Sequence, residues 1–202
     1  MMKDVLIVCD ATPYLDASTL DSFVASLPLP RQSRILEGKN LELHALRAAQ
    51  EEALKTALEQ MGEDYSSLEI AYAEWGKPFV VGRSNLSISL SHRHRYACAY
   101  VAKVDVGDIR CGVDIERVVP LSERYQKLSH RFLLDIPLTS PLDFFTAWTK
   151  TECLVKLTGE GMKGAKHLPD TTHMTLSHQT LTHPNGDTYL VCTAYEVGIA
   201  FS

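Results

Sequence analysis

"CGVDIERV", residues 111–118, is a short apolar run that carries two acids. Side chains alternate along a strand, so Val113 and Ile115 point one way. Asp114 and Glu116 point the other way, roughly 6.6 Å apart along the backbone at about 3.3 Å per residue. Two carboxylates that close repel each other unless a proton or a cation lies between them. Taken alone, Asp-x-Glu reads first as a solvated edge strand, and its neighbours must move that reading.

Upstream of this strand, "SLEIAYAEW", "LSISLSH" and "YACAYVAKV" read as short strands, punctuated by "WGKP" and "VGRSN", with a turn at "VGDIR" leading into the acidic stretch. "VLIVCD" near the N-terminus reads as a buried first strand, followed by a helical stretch leading to "LPLPRQSRILEG". Between them lies the longest periodic segment, "LELHALRAAQEEALKTALEQM". There Leu43, Leu46, Ala53, Ala57 and Met61 keep helical spacing, and Gly62 follows as a stop. Downstream, helices are expected near 122–134 and from Asp143 to about Thr158. The strands "HMTLSHQTLT" and "TYLVCTAYEVGIAFS" then follow, joined by the hairpin turn "PNGD". The pattern is α+β. It divides near Val106–Arg110 into an N-terminal half, 1–108, and a C-terminal half, 109–202, each with helices and a small antiparallel sheet and with a ligand site between them.

With 202 residues, 45% of them hydrophobic, the chain can bury a core. A net charge of -5 speaks against a general nucleic-acid binder, so an anionic ligand would have to meet a local basic patch. Cys9, Cys98, Cys111, Cys153 and Cys192 are odd in number with no CxxC spacing, which reads as reduced thiols and not as a disulfide framework or a zinc ribbon. No apolar run approaches the roughly 20 residues of a membrane span, and "MMKDVLIVCDATP" is interrupted too early for a signal peptide. The expectation is a cytoplasmic protein.

The chemistry concentrates on "DFFTAWTKTECLVKLTGEGMKG". Phe144, Trp148, Thr151 and Val155 share a helical face, and Glu152 with Lys156 stand at i,i+4, the spacing of an ordinary surface ion bridge. The helix ends in "GEGMKGAK", where glycines permit close backbone approach and lysines answer an anion. Upstream, Lys77 sits between Gly76 and Pro78, and Ser91 and His92 end a strand. His167, His173, His178 and His183 are scattered, with no metal-ligand spacing.

The ordered set "GKP", "SLSH", "GVDIE" and "FFTAWTKTE" followed by Lys156 resembles the 4'-phosphopantetheinyl transferases of the surfactin-synthetase-activating type, over about Arg31 to Met162. The resemblance implies a pseudo-dimer of two similar α+β halves in one chain, acting as a monomer. It also implies transfer of the phosphopantetheine arm of coenzyme A to a serine of an acidic apo carrier protein, with release of 3',5'-ADP. Mg²⁺ would be held by Asp114 and Glu116, and Glu152 would be a third ligand or the base for the serine. Lys156 would neutralise charge as the pyrophosphate bond breaks. Lys77 with Pro78, and Ser91 with His92, would hold the adenosine and 3'-phosphate end, and Arg31, Arg34 and Arg47 would add phosphate contacts. Two departures stand out: Thr151 replaces the family's lysine before the helix glutamate, and "KVDVGDIR" lengthens the junction of the halves. The rival readings are a Mg²⁺-dependent nucleotide pyrophosphohydrolase and an inactive binding module for coenzyme A or a carrier. For a carrier, the segment "RVVPLSERYQKLSHRFLLDIP" offers Arg117, Arg124, Lys127 and Arg131 interleaved with Val119, Leu121, Tyr125, Leu128 and Phe132.

Overall fold

The computed structural model describes residues 1–37, 40–132 and 140–198, and its elements follow the apolar runs. β1 (Met2–Asp10) leads to α1 (Ala17–Ala25), α2 (Leu29–Leu36) and α3 (Leu41–Gln60). Next come β2 (Ile70–Tyr72), β3 (Pro78–Val80), β4 (Leu86–Arg93), β5 (Tyr96–Val104) and β6 (Ile109–Arg117). α4 (Glu123–Phe132), α5 (Pro141–Thr158), β7 (Thr175–Thr182) and β8 (Thr188–Val197) complete the order. The chain is α+β, with antiparallel sheets β1-β5-β4 and β6-β8-β7 and a small β2-β3 hairpin. The ends of two expected elements, 133–134 and 199–202, lie outside the described residues. Among the described residues no helix is long and apolar enough to cross a membrane.

β5 explains the layering. Its odd residues Ala97, Ala99 and Val101 pack with α1–α3, and its even residues Cys98, Tyr100, Ala102 and Val104 pack with Ile109, Cys111, Val113, Ile115 and Val191 of the second sheet. A strand buried on both faces has no polar side to show, hence the unbroken "YACAYVA". β1, an edge strand of that sheet, is only half-buried where the sequence suggested full burial. On α3 the buried stripe is Ala45, Ala48, Ala49, Ala53 and Ala57 with Leu54 and Leu58, while Leu43 and Leu46 sit at its margin. Small side chains let that helix lie close on the sheet.

The two sheets meet edge to edge at β4 and β6, where side chains close the gap. Ser87, Ser89 and Ser91 accept hydrogen bonds from the backbone N–H groups of Cys111, Val113 and Ile115 at 3.1, 3.0 and 3.4 Å. The alternating serines of "LSISLSH" thus satisfy amides that a buried sheet edge would otherwise leave orphaned.

On the far side of the second sheet lies α5. Ser140 caps it by accepting from Asp143 N–H at 3.2 Å, Pro141 opens it, and Gly159, at φ 77°, ends it in the left-handed conformation. Gly112 sets its distance from β6: a Cβ there would meet the Cys153 carbonyl oxygen at 2.1 Å.

Candidate functional site

Because α5 lies so close on β6, the acidic face of that strand looks directly at the helix. Asp114 is 2% exposed. Its Oδ1 accepts from Ser91 Oγ at 2.8 Å and from Lys156 Nζ at 2.7 Å, and Lys156 Nζ also donates to Ser91 Oγ at 2.6 Å. Lys156 therefore pairs with an acid 42 positions away and not with its i,i+4 neighbour Glu152. Burial alone would lower the Lys156 ammonium, but the charges of Asp114 and Glu152 raise it above its ordinary value. Two of its three donors are engaged, leaving one for an incoming oxygen.

The other acids are less well satisfied. Burial pushes the Glu116 carboxyl up to about 7; Arg93 opposes this and the charges of Asp114 and Glu152 add to it. Burial and the Asp114 charge likewise push Glu152 up to about 7, against Lys156. Asp114 Oδ2 and Glu116 Oε2 are buried with no hydrogen bond. Arg93 Nε does lie 2.8 Å from Glu116 Oε2, an ion pair off the hydrogen-bonding direction.

These groups line one cleft of about 390 Å³ together with Arg34, Tyr72, Pro78, Ser91, His92 and Arg93. His92 is open to the cleft. Crowding by surrounding protein, then the charges of Lys156 and Arg47, hold its imidazolium below the usual histidine range. The Arg34 guanidinium lies over the Tyr72 ring, 3.6 Å from its centroid, and Arg47 donates to the Arg34 carbonyl at 2.9 Å.

Two basic residues that the sequence placed beside these are turned elsewhere. Arg31 is buried against Glu51, Nε to Oε1 3.3 Å, and also donates to the Tyr72 hydroxyl at 3.4 Å. Lys77 donates to the Leu157 carbonyl at 2.5 Å and the Cys111 carbonyl at 3.3 Å, stapling the end of α5 to β6. Burial lowers its ammonium. The glycines after α5 also meet side chains of the chain itself: a Cβ at Gly159 would touch Lys77, and one at Gly161 would touch Trp75. Thr151 is buried with its hydroxyl on the Ala147 carbonyl at 2.9 Å, while Lys150 is exposed.

Sequence reasoning missed Arg93, whose place beyond "SLSH" gives no signal of its contact with Glu116. It also passed over His178, which is in register with Cys192 and shares a hydrogen bond with it, raising the imidazole's pKa. A second cleft of about 520 Å³ opens on the other side of Glu152. It is lined by Arg124, Arg131, Lys163 and Lys166 around Leu128, Trp148 and Met162. Arg117 is drawn off to Asp187 at 2.6 Å. Val119, Leu121 and Tyr125 turn in against the Phe144, Phe145 and Trp148 cluster, and the Phe132 side chain lies outside the described residues. Much of the apolar strip expected for a partner is therefore core.

No protein-family profile matches the chain. It is similar to a protein of Synechocystis named "Putative 4'-phosphopantetheinyl transferase", at 28% identity over 155 residues. The alignment covers 63% of this chain and 62% of that relative, less than two thirds of its length.

Proposed function

We propose that the chain is a 4'-phosphopantetheinyl transferase of the single-chain, two-half type, moving the phosphopantetheine arm of coenzyme A to a serine of an acidic apo carrier protein and releasing 3',5'-ADP. The observation that carries this reading is the gathering of Pro78, Ser91, His92, Asp114, Glu116, Glu152 and Lys156, drawn from four separate sequence motifs, into one cleft. The Synechocystis relative's name supports it. The serine ladder between β4 and β6 favours 1–108 and 109–202 as two halves of one working unit, complete in a monomer.

The donor set suits Mg²⁺, because the cleft offers hard carboxylate oxygens, two of them buried without a hydrogen bond. Among the described residues no three acidic, histidine or cysteine groups form a ready-made cage. That agrees with an ion which takes one or two protein carboxylates and completes its shell with water and substrate phosphate. Asp114 and Glu116 would hold it, leaving Glu152 beside them for the serine proton. Bound there, it would supply positive charge to the diphosphate oxygens during transfer.

The chain's own groups do the rest. Glu152, with a pKa near 7, stands on the wall shared by both clefts and is suited to take the serine proton near neutral pH. Lys156, fixed by Asp114 and Ser91, offers its remaining N–H to the leaving phosphate. Arg34 and His92 line the cleft where the nucleotide end would lie, while the staple and burial of Lys77 and Arg31 give them a supporting part.

The test is incubation of the monomeric fraction with coenzyme A, Mg²⁺ and a panel of apo carriers, read by intact mass. The expected result is a carrier that gains the phosphopantetheine mass. Breakdown of coenzyme A without any carrier would instead make the chain a pyrophosphohydrolase, and binding without turnover would make it a binding module.

A further inference from the structure

Arg93 closes β4 one residue beyond His92, and the chemistry above makes no use of it. Its side chain is 40% exposed and its guanidinium bridges two elements: Nε stands 2.8 Å from Glu116 Oε2, and Nη2 donates to the Tyr125 hydroxyl on α4 at 3.2 Å. Three features make this more than a surface pair. The oxygen that Arg93 covers is a buried one without a hydrogen bond, the kind a cation would take. The contact is held by charge alone, with no directional bond to break, on a side chain that already faces the solvent of the cleft. And Tyr125, its ring packed edge-on against Phe144 and Phe145, gives the guanidinium a fixed pivot.

We propose that Arg93 is an exchangeable counter-ion: it holds the Glu116 carboxylate in the metal-free cleft and cedes Oε2 when a divalent cation binds. The inference rests on the acidic-site reading above. A cation approaching Glu116 must displace a guanidinium, so Arg93 weakens cation binding on its own. An anionic phosphate entering the cleft attracts the released guanidinium, so substrate and cation enter more readily together than apart. Arg93 is a positioning residue in this account, since it acts through Glu116.

Isothermal titration with Mg²⁺ alone, without nucleotide, separates this from a structural role. Arg93→Gln should bind Mg²⁺ about three- to fivefold more tightly than the unaltered chain, the upper part of the range for a partly exposed ion pair. Arg93→Lys, which keeps the competing charge, should stay close to the unaltered value. Repeating the titration in coenzyme A should narrow the gap between Arg93→Gln and the unaltered chain. If Arg93→Gln binds Mg²⁺ equally or more weakly while its unfolding temperature is unchanged, the counter-ion role is overturned. If the unaltered chain and both variants bind no Mg²⁺ with or without coenzyme A, the acidic-site reading itself falls, and this inference with it.

Discussion

Asp114 and Glu116 share a strand face, yet their surroundings give substitutions at the two positions different consequences for stability. Asp114 holds the Lys156 ammonium, so Asp114→Ala leaves a half-buried cation without its buried partner. Breaking a buried pair costs about 3–5 kcal/mol, and the lower end applies because Lys156 is partly exposed. Glu116 has one oxygen without an aligned hydrogen bond and a pKa pushed to about 7, so Glu116→Gln removes an ill-satisfied charge. Thermal unfolding in chelator should find Asp114→Ala clearly destabilised and Glu116→Gln unchanged or slightly stabilised. Both should lose transfer, and near-normal activity at limiting Mg²⁺ in either would remove that acid from the site. The same acids set a pH dependence in chelator. Glu116 and Glu152 have folded pKa values near 7, above the 4.5 of a free glutamate. Between those values the folded chain binds more protons than the unfolded one, so stability falls as pH rises. His92, held below its ordinary 6.5, works the other way, because there the unfolded chain binds the extra proton. The double variant Glu116→Gln, Glu152→Gln isolates the carboxylates: between about pH 5 and about pH 7.5 its unfolding temperature should fall less than that of the unaltered chain. Equal slopes would mean that both acids stay ionised in the folded cleft.

Among the elements, those whose signal is local were readable from the chain. The alternation of "GVDIE" and the helical spacing from Asp143 to Thr158 place Asp114, Glu116 and Glu152 correctly on β6 and α5 because periods of two and 3.6 are properties of neighbours. What escaped depends on contacts between distant segments. Lys156 looked like the partner of Glu152, but the approach of α5 to β6 gave it to Asp114. The resemblance gave Lys77 and Arg31 to the phosphate-bearing end of coenzyme A. A charge, however, does not say which way its stem points, and one is tied to two carbonyls while the other is buried on Glu51. The three serines of β4 do carry a signal, an alternating polar row on a strand otherwise buried, but its meaning appears only with β6 alongside. Gly112 is the element-scale residue most open to test. An added Cβ would meet the Cys153 carbonyl oxygen at 2.1 Å and the Leu157 nitrogen at 2.9 Å, both backbone atoms that cannot turn aside. Overpacking costs about 1–3 kcal/mol, and a clash with backbone belongs at the top of that range. Gly112→Ala should therefore lower stability by about 3 kcal/mol. Lifting α5 also separates Lys156 from Asp114, so transfer measured well below the unfolding temperature should fall further than the folded fraction does. Activity that simply tracks the folded fraction would mean that the spacing of α5 is not critical to the site.

At the scale of the whole molecule, the net charge of -5 opposes both the proposed substrates, coenzyme A and an acidic carrier, so each must be met by a local field. The structure separates two such regions on either side of Glu152. Arg34, His92, Arg93 and Lys156 line the first cleft, and Arg124, Arg131, Lys163 and Lys166 line the second. The second would suit the proposed carrier: it sets basic groups around a floor of Leu128, Trp148 and Met162 and ends at the residue proposed to take the serine proton. The sequence pointed to α4 for this role, and Arg124 and Arg131 of that helix line the cleft. Lys127 stands outside the cleft, and Lys163 and Lys166 join it only because the turn after α5 brings them there. Lys163 is also over the Trp75 ring, 4.9 Å from its centroid, which makes Arg124 and Lys166 the cleaner pair to alter. The double variant Arg124→Glu, Lys166→Glu should raise KM for the carrier on the order of tenfold, taking about 1 kcal/mol or less per rim charge. It should also flatten the salt dependence of kcat/KM, because the steering field that salt screens has gone. KM for coenzyme A should hardly change, since neither residue lines the first cleft. Equal loss for both substrates would make this wall a support of the fold, and no change for either would move the carrier to another face.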